Sequence, residues 1–129
     1  SIFACGIMVE RALQASEQLA SEGINASVIN VHTIKPLDKE AIINEVQHTE
    51  CVVTAEEHSI IGGLGGAISE LLAEEYPVPV RKIGTQDTFG ESASPEELLD
   101  KYGLTAANIV TASKKALEQK EQFLAKERS

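Results

Sequence analysis

Two acids and a histidine, Glu56-Glu57-His58-Ser59, stand just ahead of a glycine-rich turn, Gly62-Gly63-Leu64-Gly65-Gly66. A carboxylate beside a histidine raises the imidazole's proton affinity, and such a pair can carry protons near neutral pH. The same side chains can instead close the end of a sheet or meet a partner chain. Glycine permits positive φ and close backbone approach. At a helix start it leaves N–H groups free, a common seat for an anion. Glycine in a strand-to-helix turn also serves packing alone, so the turn by itself decides little.

Other reactive side chains are scattered. His32 ends a strand-like run and reaches the same sheet edge as Glu56. His48 closes a helical segment, where it meets the negative end of the helix dipole. Gln86-Asp87-Thr88-Phe89-Gly90-Glu91-Ser92 is a polar stretch with one aromatic, suited to docking against another surface or to covering the core. Arg81 and Lys82 alternate along a strand, so each faces a different side. The two cysteines, Cys5 and Cys51, lie in apolar runs and form no CxxC. They read as buried small hydrophobes in a reducing cytoplasm. No Ser-His-Asp set, nucleophile elbow or phosphate-loop lysine is present, so a complete catalytic apparatus is not expected within this chain.

The elements that must position these residues follow from pattern. Ser1–Cys5 reads as a short buried strand ended by Gly6. Val9, Ala12, Leu13, Ser16, Leu19 and Ala20 recur at helical spacing up to Gly23. Ala26–Val31 is a second strand, and Pro36 keeps His32–Leu37 as a loop. Asp38 caps a helix over Lys39–His48 with Ala41, Ile42 and Val46 inward. Cys51–Ala55 is the third strand. The helix after the glycines buries Leu64, Ala67, Ile68, Leu71 and Leu72 and ends near Tyr76-Pro77. Val78–Ile83 is the fourth strand, with Pro77 and Pro79 at its start, followed by a loop over Gly84–Ala93. Ser94-Pro95-Glu96-Glu97 starts a helix that packs Leu98, Leu99 and Tyr102 and stops at Gly103. Thr105 caps a long last helix carrying Ile109, Ala112, Ala116, Leu117, Phe123 and Leu124, and residues 120–129 are expected to fray.

Strands alternating with helices predict an α/β fold, a mostly parallel doubly wound sheet covered on both faces. The expected strand order is Ala26–Val31, Ser1–Cys5, Cys51–Ala55, Val78–Ile83. The winding reverses between the first and third strands in sequence, and ligands of such sheets sit at that point, at the strands' carboxyl ends. Here that brings Gly6–Met8 beside Glu56–Gly66.

Composition sets outer bounds. The 129 residues fit one domain, spanning 1–129. Hydrophobic residues are 43%, enough for a core without staples. A net charge of −9 disfavours nucleic acid, which is held by cationic contacts to phosphate. Aromatics are 4% with no Trp, so a base-stacking platform is not expected. No apolar run reaches the ~18 residues of a membrane helix, and no membrane partner is expected. The chain opens at Ser1 already inside a strand, with no initiator Met, and reads as a fragment of something longer.

Several stretches together resemble one family. They are Cys5-Gly6, Lys35-Pro36-Leu37-Asp38, Glu56-Glu57-His58-Ser59, Gly62-Gly63-Leu64-Gly65, Asp87-Thr88-Phe89-Gly90-Glu91-Ser92, and Ser94-Pro95-Glu96-Glu97-Leu98-Leu99 with Tyr102-Gly103-Leu104-Thr105. In order and spacing, from Ile2 to about Leu117, they resemble the C-terminal domain of transketolases. The nearest type is the one whose second half can be a separate polypeptide. Wider relatives are 1-deoxyxylulose-5-phosphate synthase and the β subunits of 2-oxo acid dehydrogenases; the Glu56–Ser59 and Asp87–Ser92 stretches favour transketolase.

The resemblance implies a three-layer α/β/α domain that has lost one antiparallel edge strand, leaving Ala26–Val31 as an exposed edge. It implies a parent enzyme of the pentose phosphate pathway, cytoplasmic and dimeric, transferring a two-carbon ketol unit between sugar phosphates. That parent would use thiamine diphosphate and a divalent metal, Mg or Ca, held by its other domains; the ylid of the cofactor does the chemistry. No catalytic, cofactor-binding or metal-binding residue is assigned to this chain. Its partners would be the preceding domains or a separate N-terminal-half polypeptide. The interdomain and dimer surface would comprise Glu57, His58, Gly62, Gly63, Gly65, Gly66, Asp87, Phe89, Gly90 and Glu91. The rival reading is a stand-alone module holding a nucleotide or other anion at the glycine turn. Against it, the turn lacks lysine, and the first strand lacks a glycine fingerprint followed by a ribose-binding acid.

Overall fold

The computed structural model describes residues 1–31, 38–59, 63–85, 100 and 103–128. Four strands form one sheet: β1 (Ile2–Ala4), β2 (Val28–Asn30), β3 (Val52–Ser59) and β4 (Val80–Thr85). The described helices are α1 (Met8–Ser21), α2 (Lys39–Thr49), α3 (Leu64–Glu75) and α4 (Ala106–Arg128). The strand order is β2-β1-β3-β4 and every pairing is parallel, as the alternation of strands and helices predicts. The winding therefore reverses at the adjacent β1 and β3.

The strand pleat sorts side chains into two cores. Phe3 and Val52 point to one face and pack with Ile42, Val46, Leu64, Ile68 and Leu72 of α2 and α3. Ile2, Ala4, Val53 and Ala55 point to the other and pack with α1 and α4. That is the period of two expected for a strand covered on both sides.

Ends of elements follow local chemistry. Asp38 accepts a hydrogen bond from the Ala41 amide at 3.1 Å, the predicted cap of α2. Thr105 accepts from the Asn108 amide at 3.2 Å and starts α4. Lys120 Nζ on α4 donates to the Thr49 carbonyl at 2.9 Å, satisfying an end carbonyl of α2.

Several expectations shift. The buried stripe of α1 is Met8, Ala12, Ala15 and Leu19, so Leu13 is rotated about 100° from Ala12 and lies 51% exposed rather than inward. Ala41 is exposed, because α2 turns Ile42 and Val46, with Ile43 partly buried beside them, to the core. Phe123 is 51% exposed, beyond the part of α4 that crosses the sheet. β4 starts two residues later than expected: Pro79 stands outside it, although its carbonyl accepts from the Val52 amide at 2.9 Å. β3 does not stop at Ala55 but runs on through Glu56, Glu57 and His58, with a register irregularity against β4 between Ala55 and Ser59. The expectations for His32–Leu37, Gly62, Gln86–Ser92 and the helix starting at Ser94 lie outside the described residues.

Burial separates the two described phenylalanines. Phe3→Ala removes a fully buried ring and should lower the unfolding free energy by about 3–5 kcal/mol. Phe123→Ala should change it by less than about 1 kcal/mol. Urea unfolding midpoints of the two variants check this.

Candidate functional site

The carboxyl ends of β1 and β3 converge where the sheet's winding reverses, and the two acids there point to opposite faces. Glu56 shares the pleat parity of Val52 and Thr54 and turns under α3. Glu57 shares that of Val53 and Ala55 and turns toward the start of α1.

Glu56 is 1% exposed. One carboxylate oxygen accepts the Leu64 amide at 2.9 Å and the other accepts the Gly65 amide at 2.6 Å. These are first-turn N–H groups of α3 that have no partner inside the helix. Gly63, in the capping position with φ −95° and ψ −154°, has no side chain to offer them. A strand residue thus supplies the cap that the helix lacks. The bonds are charge-assisted and face the positive end of the helix dipole, which offsets the cost of burying a carboxylate.

Gly65 is explained by contact. A Cβ there would lie 2.9 Å from Thr54 Oγ1 and 3.1 Å from Lys82 Cδ. Helix and strand approach more closely than any side chain allows, so this glycine serves packing. Thr54 Oγ1 is buried without a hydrogen-bond partner among the described residues.

Gly6 has φ +61°, a region that favours glycine. A Cβ on it would lie 3.0 Å from Glu57 Oε1, so the carboxylate sits directly over this residue. Cys5 is half-buried beside the pair. Burial, and then the charges of Glu56 and Glu57, push its thiol above the ordinary range. A raised thiol stays protonated at neutral pH and is a poor nucleophile. Burial likewise raises the Cys51 thiol. Ile7, next to Gly6, is 37% exposed.

The predicted surface residues thus divide. Glu57, Gly63, Gly65 and Gly66 come together at this end of the sheet; His58 has its backbone in β3. Gly62, Asp87, Phe89, Gly90 and Glu91 lie outside the described residues. Glu56 uses both its oxygens on α3, which weighs against a proton relay; the His58 side chain of that relay lies outside the described residues. The role of Glu56 as a cap was legible from two signals together: its parity with Val52 and Thr54, and a helix opening on glycines with no capping side chain. Hollows of about 210 Å³ near Ser1 and Cys51 and about 350 Å³ near Tyr76 and Phe123 lie at the opposite end of the sheet.

The family model described as "Transketolase, C-terminal domain" matches residues 1–109. A 6-deoxy-6-sulfo-D-fructose transketolase subunit of Clostridium sp. (strain MSTE9) is 51% identical over 120 residues, 93% of this chain and 37% of that protein. The 1-deoxy-D-xylulose-5-phosphate synthase 1 of Geobacter sulfurreducens is 42% identical over 122 residues, 93% of this chain and 19% of that protein. Among solved structures, "Split gene transketolase, inactive beta4 tetramer" superposes with a TM-score of 0.87 at 53% identity, covering 92% of this chain and 39% of that one. The chain therefore spans about a fifth to two fifths of the length of these relatives.

Glu56→Gln leaves one amide of α3 facing an NH2 group. The change should cost about 2–3 kcal/mol and speed amide exchange at Leu64 and Gly65. Glu57→Gln, which removes no hydrogen bond among the described residues, should do neither. Unchanged exchange at Leu64 and Gly65 in the first variant would contradict the capping role.

Proposed function

The chain belongs to the transketolase C-terminal domain family, and on that footing we propose that it is the non-catalytic C-terminal part of a transketolase. The complete enzyme would move a two-carbon ketol unit from a ketose phosphate to an aldose phosphate. This part would pack against the preceding domains, or a separate N-terminal-half polypeptide, and support dimer formation through the end of the sheet that carries Gly6, Glu57 and Gly63–Gly66. Alone it would be inactive. By the same reading the enzyme is cytoplasmic; no described helix is long and apolar enough to cross a membrane.

One observation carries this reading. The glycine-rich helix start, where a phosphate or diphosphate would bind, is filled by the chain's own Glu56 carboxylate. A second anion there would meet a buried like charge. Transketolases and 1-deoxy-D-xylulose-5-phosphate synthases are thiamine diphosphate enzymes. The described residues do not fit that cofactor's diphosphate, so the cofactor and its divalent metal are assigned to the rest of the enzyme. The same geometry weighs against a stand-alone nucleotide-binding module.

The range of enzymes that share this domain supports a scaffold role. The same domain occurs in an enzyme named for a sulfo-sugar and in one named for a deoxypentulose phosphate. Substrate choice then belongs to other domains. A split parent is supported by the similar chain named as a split-gene transketolase. A 1-deoxy-D-xylulose-5-phosphate synthase parent is the second reading, carried by 42% identity over nearly the whole chain.

Two outcomes are expected. With thiamine diphosphate and Mg present, the chain alone shows no ketol transfer, and the complete enzyme does; transfer by the chain alone, followed in a coupled assay, would refute the assignment. Phe89→Ala should weaken dimer or interdomain assembly in sedimentation velocity while the chain still folds, and unchanged assembly would remove Phe89 from the interface.

A further inference from the structure

Of the two acids at the switch in the sheet, Glu56 alone is paired among the described residues. Glu57 is half-buried, and among the described residues it accepts no hydrogen bond and joins no ion pair. The fold clears the space beneath it: Gly6 has no side chain, and a Cβ there would lie 3.0 Å from Glu57 Oε1. β3 also outruns its neighbour. Ala4, the last residue of β1, pairs with Ala55, so Glu57 stands two residues past the end of the pairing.

Among the described residues it takes part in no ion pair, and Arg81 of β4, on the same face, pairs with Val53, four residues short of it. β1 and β3 carry no Lys or Arg, and the one cation of α1, Arg11, is bonded to Asp100 at 3.2 Å. On α4, Lys114 is bonded to Glu22 at 2.6 Å and Lys120 to the Thr49 carbonyl at 2.9 Å. The Lys82 stem runs along Gly65, on the α3 side of the sheet and away from Glu57. The chain as a whole carries a charge of −9. A partly desolvated carboxylate without a counter-charge gains most from a cation that arrives with the surface covering it.

We infer that Glu57 is the charged anchor of the interdomain surface and receives a cationic side chain, Arg or Lys, from the adjoining domain or polypeptide. This rests on the proposed packing role and adds the chemistry of the partner. Half-exposed Ile7 supplies an apolar neighbour for the stem of such a side chain. An arginine suits the site better than a lysine, since its planar fork can engage both carboxylate oxygens.

The test uses the complete enzyme. Its assembly constant is measured against ionic strength for the native protein, Glu57→Gln and Glu57→Asp, with amide exchange over residues 55–57 in assembled and dissociated forms. Glu57→Gln should weaken assembly at least about tenfold and flatten its salt dependence, whereas Glu57→Asp keeps the slope. Protection of residues 55–57 on assembly, with Glu57→Gln unchanged in affinity and slope, would overturn the charge pairing and leave the packing role standing. Weakened assembly with an unchanged slope would also overturn it. No protection at all would remove both.

Discussion

The carboxylate of Glu56 and the first amides of α3 are the interaction on which this end of the molecule depends. Helix starts leave N–H groups that must find acceptors, and a glycine-rich start offers none from its own side chains. In many α/β proteins an incoming phosphate completes such a turn. Here a buried side chain one residue past the last β1–β3 pair completes it, with one oxygen on Leu64 and the other on Gly65. The bond also fixes how closely α3 lies on β3, and Gly65 is the residue that permits the approach. The start of α3 is thereby capped by the chain itself.

This arrangement separates two adjacent acids into different roles. Strand parity sends Glu56 under α3 and Glu57 over Gly6. The first is an internal anion that stabilises the fold. The second accepts no hydrogen bond among the described residues and lies over the bare Cα of Gly6. The Cys5 thiol is raised by burial first and by both carboxylates next, which keeps it protonated. On the proposed reading this is a docking face with one charged anchor, beside a helix start that resembles an anion pocket and is closed by Glu56.

Much of the architecture was legible in the sequence because periodicity reports burial directly. The strand order and the placement of Gly6 beside Glu56 and Glu57 followed from alternating elements and crossover handedness. The Asp38 and Thr105 caps followed from residue type. Errors arose where tertiary context decides. Leu13 and Ala41 are one step off the buried stripes of their helices, and a single-residue phase error rotates a side chain about 100°. Phe123 is apolar at helical spacing yet lies past the sheet that would bury it. β3 outlasts its apolar run because Glu56 is buried by hydrogen bonds rather than by hydrophobicity, which hydropathy patterning does not register. The family resemblance, carried by the order of several modest motifs, reached further than any of them alone.

A crystal structure of the complete enzyme grown in phosphate would decide whether Glu56 or a ligand closes the start of α3. Glu56 oxygens are expected within hydrogen-bonding distance of the Leu64 and Gly65 amides, with no phosphate between them and another domain's residues against Gly6 and Glu57. Glu56 turned away, with a phosphate on those two amides, would contradict the capping role and make the glycine turn a ligand site.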